Sequence, residues 1–366
     1  MQNIWEKYAK VIVEYSVNVQ KNDLVIIRGE AQAQPLILAI YEEVIKKGAH
    51  PIAKATLDGI NESYFRLASD EQLEFIDPFT KLEYNKVDKI ISIGAPYNVK
   101  NMAKTNPARL AKRSAATKPL SNKLLQRSAE GNLNWVICDF PTNALAQEAK
   151  MSLYDYQEFL FTACYLHLDD PVAKWREIGK SQERLVEYMN NVKKVRITGE
   201  KTDLTISTEG RTWVNCKGKF NFPDGEVFTS PVENSAQGEI YFDFPAIYRG
   251  NEAHGIHLKF ENGKVVHATA EKGEEFFLSM INQDEGARYL GELAFGTNDM
   301  IQEITGNILF DEKIGGSIHL ALGTSYPQTG GKNQSGLHWD IIKNMKNGGK
   351  IYADDKLIYE NGKFLI

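Results

Sequence analysis

In the stretch SGLHWDIIKN, residues 335–344, a histidine and an aspartate stand one residue apart inside an apolar run. Side chains at i and i+2 share a face of an extended strand, so His338 and Asp340 would project together with Trp339 turned away. Such a pair is either a surface contact or two ligands of one metal ion. Further groups of the same chemistry precede it. Glu226 lies among turn residues in NFPDGEVFTSP (221–231), and Glu292 follows a short amphipathic helix in DEGARYLGELAFGTN (284–298). GSIHLALGTSYP places His319 in an apolar strand and Tyr326 just beyond its end. Carboxylate oxygens bridge and neutralise paired cations, and imidazoles favour Zn²⁺, Co²⁺ or Fe²⁺ over Mg²⁺. Two metals about 3.5–4 Å apart can hold a bridging hydroxide and polarise a scissile carbonyl.

Residue spacing alone leaves rival readings open. A histidine in a strand is also a common satisfied core residue, and an isolated glutamate is usually a surface group. His319, His338 and Asp340 also suit the two-histidine, one-carboxylate set of a mononuclear non-haem Fe(II) oxygenase. The remaining histidines read as structural: His254 and His257 are three apart in a segment that alternates like a strand, and His50, His167 and His267 are isolated. No H-E-x-x-H, P-loop, G-x-G-x-x-G or G-x-S-x-G motif is present, so a serine or cysteine hydrolase has no support here. Residues 100–127 carry Lys100, Lys104, Arg109, Lys112, Arg113, Lys118, Lys123 and Arg127 with no acid, which reads as a solvated helix face or a contact surface.

The elements that must position these groups fall into two textures. DLVIIRG (23–29), PIAKATL (51–57), DKIISIGAP (88–96) and LNWVICDFPT (133–142) are buried-strand runs separated by helical segments, one of them led by Pro35 and ended by Gly48. That alternation predicts a layered α/β domain with a mostly parallel sheet over residues 1–190. Residues 153–190 read as helical, and from 192 onward apolar and polar residues alternate between glycine-rich turns. Asn262-Gly263 and Asn361-Gly362 are hairpin signals. The second region, 191–366, is therefore expected to be a β-rich α+β domain that carries the metal site.

A chain of 366 residues with 42% hydrophobic and 25% charged residues suits a soluble two-domain protein. A net charge of −5 gives no reason to expect nucleic-acid binding. MQNIWEKYAKVIVEYS spaces Ile4, Tyr8, Val11 and Tyr15 as an amphipathic helix of the fold, not as a secretory leader, and no run reaches membrane-spanning length. Cys138, Cys164 and Cys216 are sparse and unpaired in spacing, which points to reduced thiols and a cytoplasmic protein.

In their order, FPDGEVFTSP, LGELAFGTN, HLALGTSYP and NQSGLHWD resemble the motifs of the M29 metallo-aminopeptidases, the aminopeptidase T/S family. The resemblance extends over essentially the whole chain. It implies a cytoplasmic homodimer that removes N-terminal residues from peptides at a site with two divalent ions per chain, Zn, Co or Mg. By motif, the metal ligands would be Glu226, Glu292, His319, Tyr326, His338 and Asp340, with Glu292 as the bridging ligand. Glu292 and Tyr326 would also be the catalytic residues, one guiding a proton and the other ligating metal or donating to the oxyanion. The loop from Tyr326 to His338 is short and the chain compact for that family, both changes falling where pocket walls form. Some ring-cleaving dioxygenases look distantly related to this peptidase family, which keeps the iron reading as the alternative.

Overall fold

A computed structural model describes residues 3–366, which divide into two compact units. One runs to Trp175 and takes in Gly218–Pro223; the other comprises Arg176–Lys217 and Asp224–Ile366. Compared with the boundary expected near residue 190, the division falls inside the helix Pro171–Met189 and is crossed again by a short return segment. The return has a physical cause. Asn221–Phe222 pairs in parallel with Ile137 and Cys138 and adds a fifth strand to the first unit's sheet.

The other four strands of that sheet are the apolar runs seen in the sequence. They lie in the order His50–Thr56, Leu24–Glu30, Lys89–Gly94, Asn134–Asp139, all parallel. The helix Gln34–Lys46 starts with Pro35 in its first turn, and Gly48 follows its end at φ 72°. The N-terminal helix departs from a simple amphipathic stripe. After Ile4–Lys10 the chain widens into a π-helix over Val11–Ser16, which buries Val11, Ile12, Val13 and Tyr15 together. The basic segment also has a structural use, distinct from a free cationic face. Within the helix Pro107–Ala129, Arg109 donates to the carbonyls of Phe65 and Ala68, Arg113 to those of Leu73 and Phe75, and Arg127 to those of Tyr84 and Asn132. All but the Asn132 carbonyl, which follows this helix's own end, lie in the last turns or caps of short helices, where carbonyls lack intrahelical partners.

The second unit contains an eight-stranded and a five-stranded antiparallel sheet. Strands Ile256–Glu261 and Lys264–Thr269 of the larger sheet are joined through Asn262 and Gly263 at φ 50° and 81°, the positive values a two-residue type I′ hairpin requires. The smaller sheet has the order His338–Asn344, Ser317–Gly323, Leu290–Gly296, Glu226–Thr229, Val214–Cys216. One buried cluster takes Ile197, Leu204, Ile240 and Phe260 from the larger sheet and Leu293, Phe295, Leu320 and Trp339 from the smaller. Thus one face of the smaller sheet is committed to the core, and the other is left for chemistry. Among the described residues no helix is long and apolar enough to cross a membrane.

Candidate metal centre

Alternation along Ser317–Gly323 sends Ile318, Leu320 and Leu322 into the core and His319 and Ala321 to the opposite face. The neighbouring strands bring their own polar groups to that face. Pairing sets His319 opposite Ala294, Asp340 opposite Ala321, His338 opposite Gly323 and Glu226 opposite Gly296. Each polar group therefore has a small residue beside it across the ladder, which leaves room above the sheet. Glu292 reaches the same row through a bulge: the register shifts between Leu290 and Glu292, and Gly291 is the extra residue. A Cβ at Gly291 would lie 2.2 Å from the Thr324 carbonyl oxygen, so no other residue fits there. Trp339 points the other way and stacks on Tyr248, with Phe276 and Phe277 around it.

All six residues singled out in the sequence converge. His319 Nε2 lies 3.5 Å from one Glu292 oxygen and 3.6 Å from Glu226 Oε2, while His338 Nε2 lies 3.3 Å from the other Glu292 oxygen and 3.5 Å from Asp340 Oδ1. The Tyr326 hydroxyl stands 3.3 Å from His338 Nε2. His338 Nδ1 sits 2.9 Å from the Thr324 carbonyl, which can only accept, so Nδ1 carries a proton and Nε2 faces the pocket as the nitrogen that would ligate once deprotonated. Both ring nitrogens of His319, Glu226 Oε2 and Asp340 Oδ1 are buried without a hydrogen-bond partner. Buried polar atoms are nearly always satisfied, so orphaned lone pairs converging in one place fit a divalent cation. Among the described residues three groupings have ligand geometry, Cys216–Asp224–Glu226, Glu226–Glu312–His319 and Glu292–His319–Asp340; the first two share Glu226 and the last two share His319, so the clusters are contiguous. The loop after Tyr326 is tied down: Thr329 donates to Ser230 at 2.7 Å, and Asn333 donates to the Gly323 carbonyl at 2.6 Å. His254 and His257 instead face Glu252 and Glu239 and belong to none of the ligand groupings among the described residues.

Sequence reasoning missed Glu312. It follows the one-turn helix Ile308–Asp311 and, with Asp311 and Lys313, reads in sequence as a solvated charged turn. The fold makes it internal. Asp311 is buried and accepts from the Thr305 and Gly306 amides and the Thr305 hydroxyl, all between 2.8 and 2.9 Å, which closes the loop that carries Glu312. Lys313 is fully buried with its ammonium on Glu312. Gln182 was also missed; its amide donates to the Cys216 and Glu226 carbonyls at 2.9 and 2.8 Å and holds that strand end in place.

The electrostatics describe a site that carries protons where cations would sit. Burial pushes Glu226 up to about 8, against the opposing charge of Lys313. Burial disfavours a charged His319, but the nearby Glu292 and Glu226 carboxylates outweigh it and raise His319 to about 9. Burial opposes charging of His338 too, yet Asp340 and Glu292 lift it to about 11, while its pairing holds Asp340 at about 2 despite that aspartate's burial. The protonated imidazoles must therefore release protons before they can ligate a metal. Metal affinity should rise with pH through the neutral range, by up to about tenfold per pH unit for each proton displaced, more shallowly above about 9 once His319 has lost its proton, and level off only above about 11 as His338 loses its own. Calorimetric titration at pH 7 in buffers of different ionisation enthalpy checks this; heats independent of the buffer would contradict it.

The chain matches the thermophilic metalloprotease (M29) family over residues 1–364. Aminopeptidase PepS of Streptococcus thermophilus is 28% identical, with 99% of this chain and 98% of that protein aligned. Aminopeptidase 2 of Geobacillus stearothermophilus is 28% identical over 89% of this chain and 85% of its own length. Among solved structures, wild-type AmpT from Thermus thermophilus superposes with a TM-score of 0.84 at 22% identity, covering 99% of both chains. The 2,5-dihydroxypyridine dioxygenase of Pseudomonas putida KT2440 shares the fold more loosely, with a TM-score of 0.59 at 13% identity over 99% of this chain and 96% of that one.

Proposed function

The chain belongs to the thermophilic metalloprotease (M29) family, and from that premise we propose that it removes N-terminal residues from peptides at two divalent ions held by Glu226, Glu292, His319, His338 and Asp340. It is a metallo-aminopeptidase with its metal site in the C-terminal region. The observation that carries the ligand assignment is the set of orphaned carboxylate and imidazole atoms buried together on one sheet face. When bound, the metal pair supplies a nucleophilic hydroxide at neutral pH and polarises the scissile carbonyl. The protein's own groups do the rest. Glu292, with one oxygen toward each imidazole, spans the two positions and guides the nucleophile's proton toward the leaving amine. Tyr326 donates its phenolic hydrogen to the oxyanion. Glu312 adds a carboxylate on the Glu226 side. Two imidazoles suit Zn²⁺ or Co²⁺ better than Mg²⁺. The three cysteines are free, which supports a reducing, cytoplasmic setting, and the family resemblance supports a homodimer; light scattering of the purified chain tests the latter.

The shared fold and the set His319, His338 and Asp340 keep a mononuclear iron dioxygenase as the second reading. Such a site needs none of Glu226, Glu292 and Glu312, and all three face the pocket. The test is metal analysis of the purified chain, followed by release of N-terminal residues from a peptide panel with and without chelator. Two metals per chain and chelator-sensitive release are expected; one iron per chain with oxygen uptake would replace the hydrolase reading.

A further inference from the structure

Lys313 is out of place for a lysine. Its side chain is fully buried, although burying an ammonium is costly unless it is paired. Its backbone is pinned on both sides: its amide donates to the Phe310 carbonyl at 3.0 Å, and its carbonyl accepts from the Asn298 amide at 3.1 Å. The ammonium is thus held inside the fold, away from water. It contacts Glu312 and lies within electrostatic reach of Glu226 and Asp224. These acids are continuous with the metal centre, because Asp224 groups with Glu226, and Glu226 groups with Glu312 and His319.

Counting charge makes the consequence concrete. Asp224, Glu226, Glu292, Glu312 and Asp340 carry five negative charges when ionised, and two divalent ions bring four positive ones. Lys313 offsets this excess, to which a metal-bound hydroxide would add one more negative charge. We propose that Lys313 is a resident counter-cation of the metal centre, holding the Glu226–Glu312 flank together when no divalent ion is present and loosening that flank's hold on an ion when one is. The inference rests on the dinuclear reading above and deepens it: the ion on the Glu226–Glu312 side is the exchangeable one of the two. The physical basis is repulsion between like charges that share a site shielded from solvent, where the effective dielectric is far below that of water.

The test is a cobalt(II) titration of the chelator-stripped full chain, followed by visible absorption with a competing chelator, for the wild type, Lys313→Met and Lys313→Gln. The wild type is expected to bind two cobalt ions in a tighter and a weaker step. Both variants should tighten the weaker step by about tenfold or more and leave the other unchanged. The rise in Tm on adding cobalt should be larger in both variants than in the wild type, because their metal-free acids lack the ammonium's charge. If a stripped variant does not refold, chelator competition on protein purified with cobalt bound reads the same constant. Unchanged or weakened binding in Lys313→Met would overturn the proposal. Tightening in Met but not in Gln would overturn it too, since Gln also lacks the charge. A wild type that binds no cobalt would bring down the dinuclear reading along with it, whereas two bound ions with an indifferent Lys313→Met would remove this proposal alone.

Discussion

Replacing Glu292 by alanine is expected to bring peptide hydrolysis down at least about 10³-fold, to the level of background, and to reduce bound metal from two ions per chain to one at most. The expectation follows from the position of this carboxylate. Glu292 is 4% exposed, and its two oxygens lie 3.5 and 3.3 Å from different imidazoles, His319 and His338. Asp340 is also near both, at 3.5 Å from His338 Nε2 and within 4.8 Å of a His319 ring nitrogen, but Glu292 turns a separate oxygen to each imidazole. On the proposed reading, removing it would take away a ligand to both ions and the group placed to carry a proton from nucleophile to leaving amine. Glu292→Gln should fail almost as badly: it keeps the shape, but an amide oxygen is neutral and cannot bridge two cations or accept the proton. The metal-free protein should be much less affected, because the mutation removes one acid from an already crowded acidic cluster. Steady-state kinetics, metal analysis and thermal unfolding of stripped protein give the three readings. Turnover within about tenfold of wild type would remove Glu292 from both roles.

How far the sequence carries this site depends on whether the determining contacts are local. The alternation in SIHLALG states which face of one strand is core, and His-x-Asp states that two groups share a face; the strands Ser317–Gly323 and His338–Asn344 behave accordingly. Turn chemistry is equally local, and Asn262-Gly263 takes the backbone angles its residue types favour. The parallel sheet of the first unit was likewise visible as apolar runs between helices. What escaped was decided by partners far along the chain. Asn221–Phe222 is too short to signal a strand and is one only because Ile137 and Cys138 offer an open edge. The Gly291 bulge follows from the close approach of Thr324. Asp311-Glu312-Lys313 looks like surface, yet it is internal because its charges satisfy one another and the Thr305 loop. The arginines of the Pro107–Ala129 helix read as a solvated face or contact surface, but Arg109, Arg113 and Arg127 are taken up by carbonyls of preceding helices. In each case the local composition was read correctly, and a long-range contact changed its use.

Tyr326 offers the sharpest separation between binding a metal and stabilising a transition state. Its ring packs edge-on against Phe228 at 5.3 Å and against His338 at 5.1 Å, and its hydroxyl is 3.3 Å from His338 Nε2. Burial, reinforced by the charges of Glu292 and Asp340, pushes its phenol well above the usual tyrosine range. While it is protonated, the hydroxyl is a hydrogen-bond donor, which suits a developing oxyanion. Tyr326→Phe should therefore keep both ions and the aromatic packing while kcat falls about 10²–10³-fold, with KM little changed. The donor is called on only when negative charge develops on the carbonyl oxygen, so its loss is felt in the transition state and scarcely in the bound substrate. Kinetics and metal content measured on the same preparation decide the matter. If the phenylalanine variant retains one ion instead of two, the hydroxyl is a ligand and the oxyanion must find its donor elsewhere.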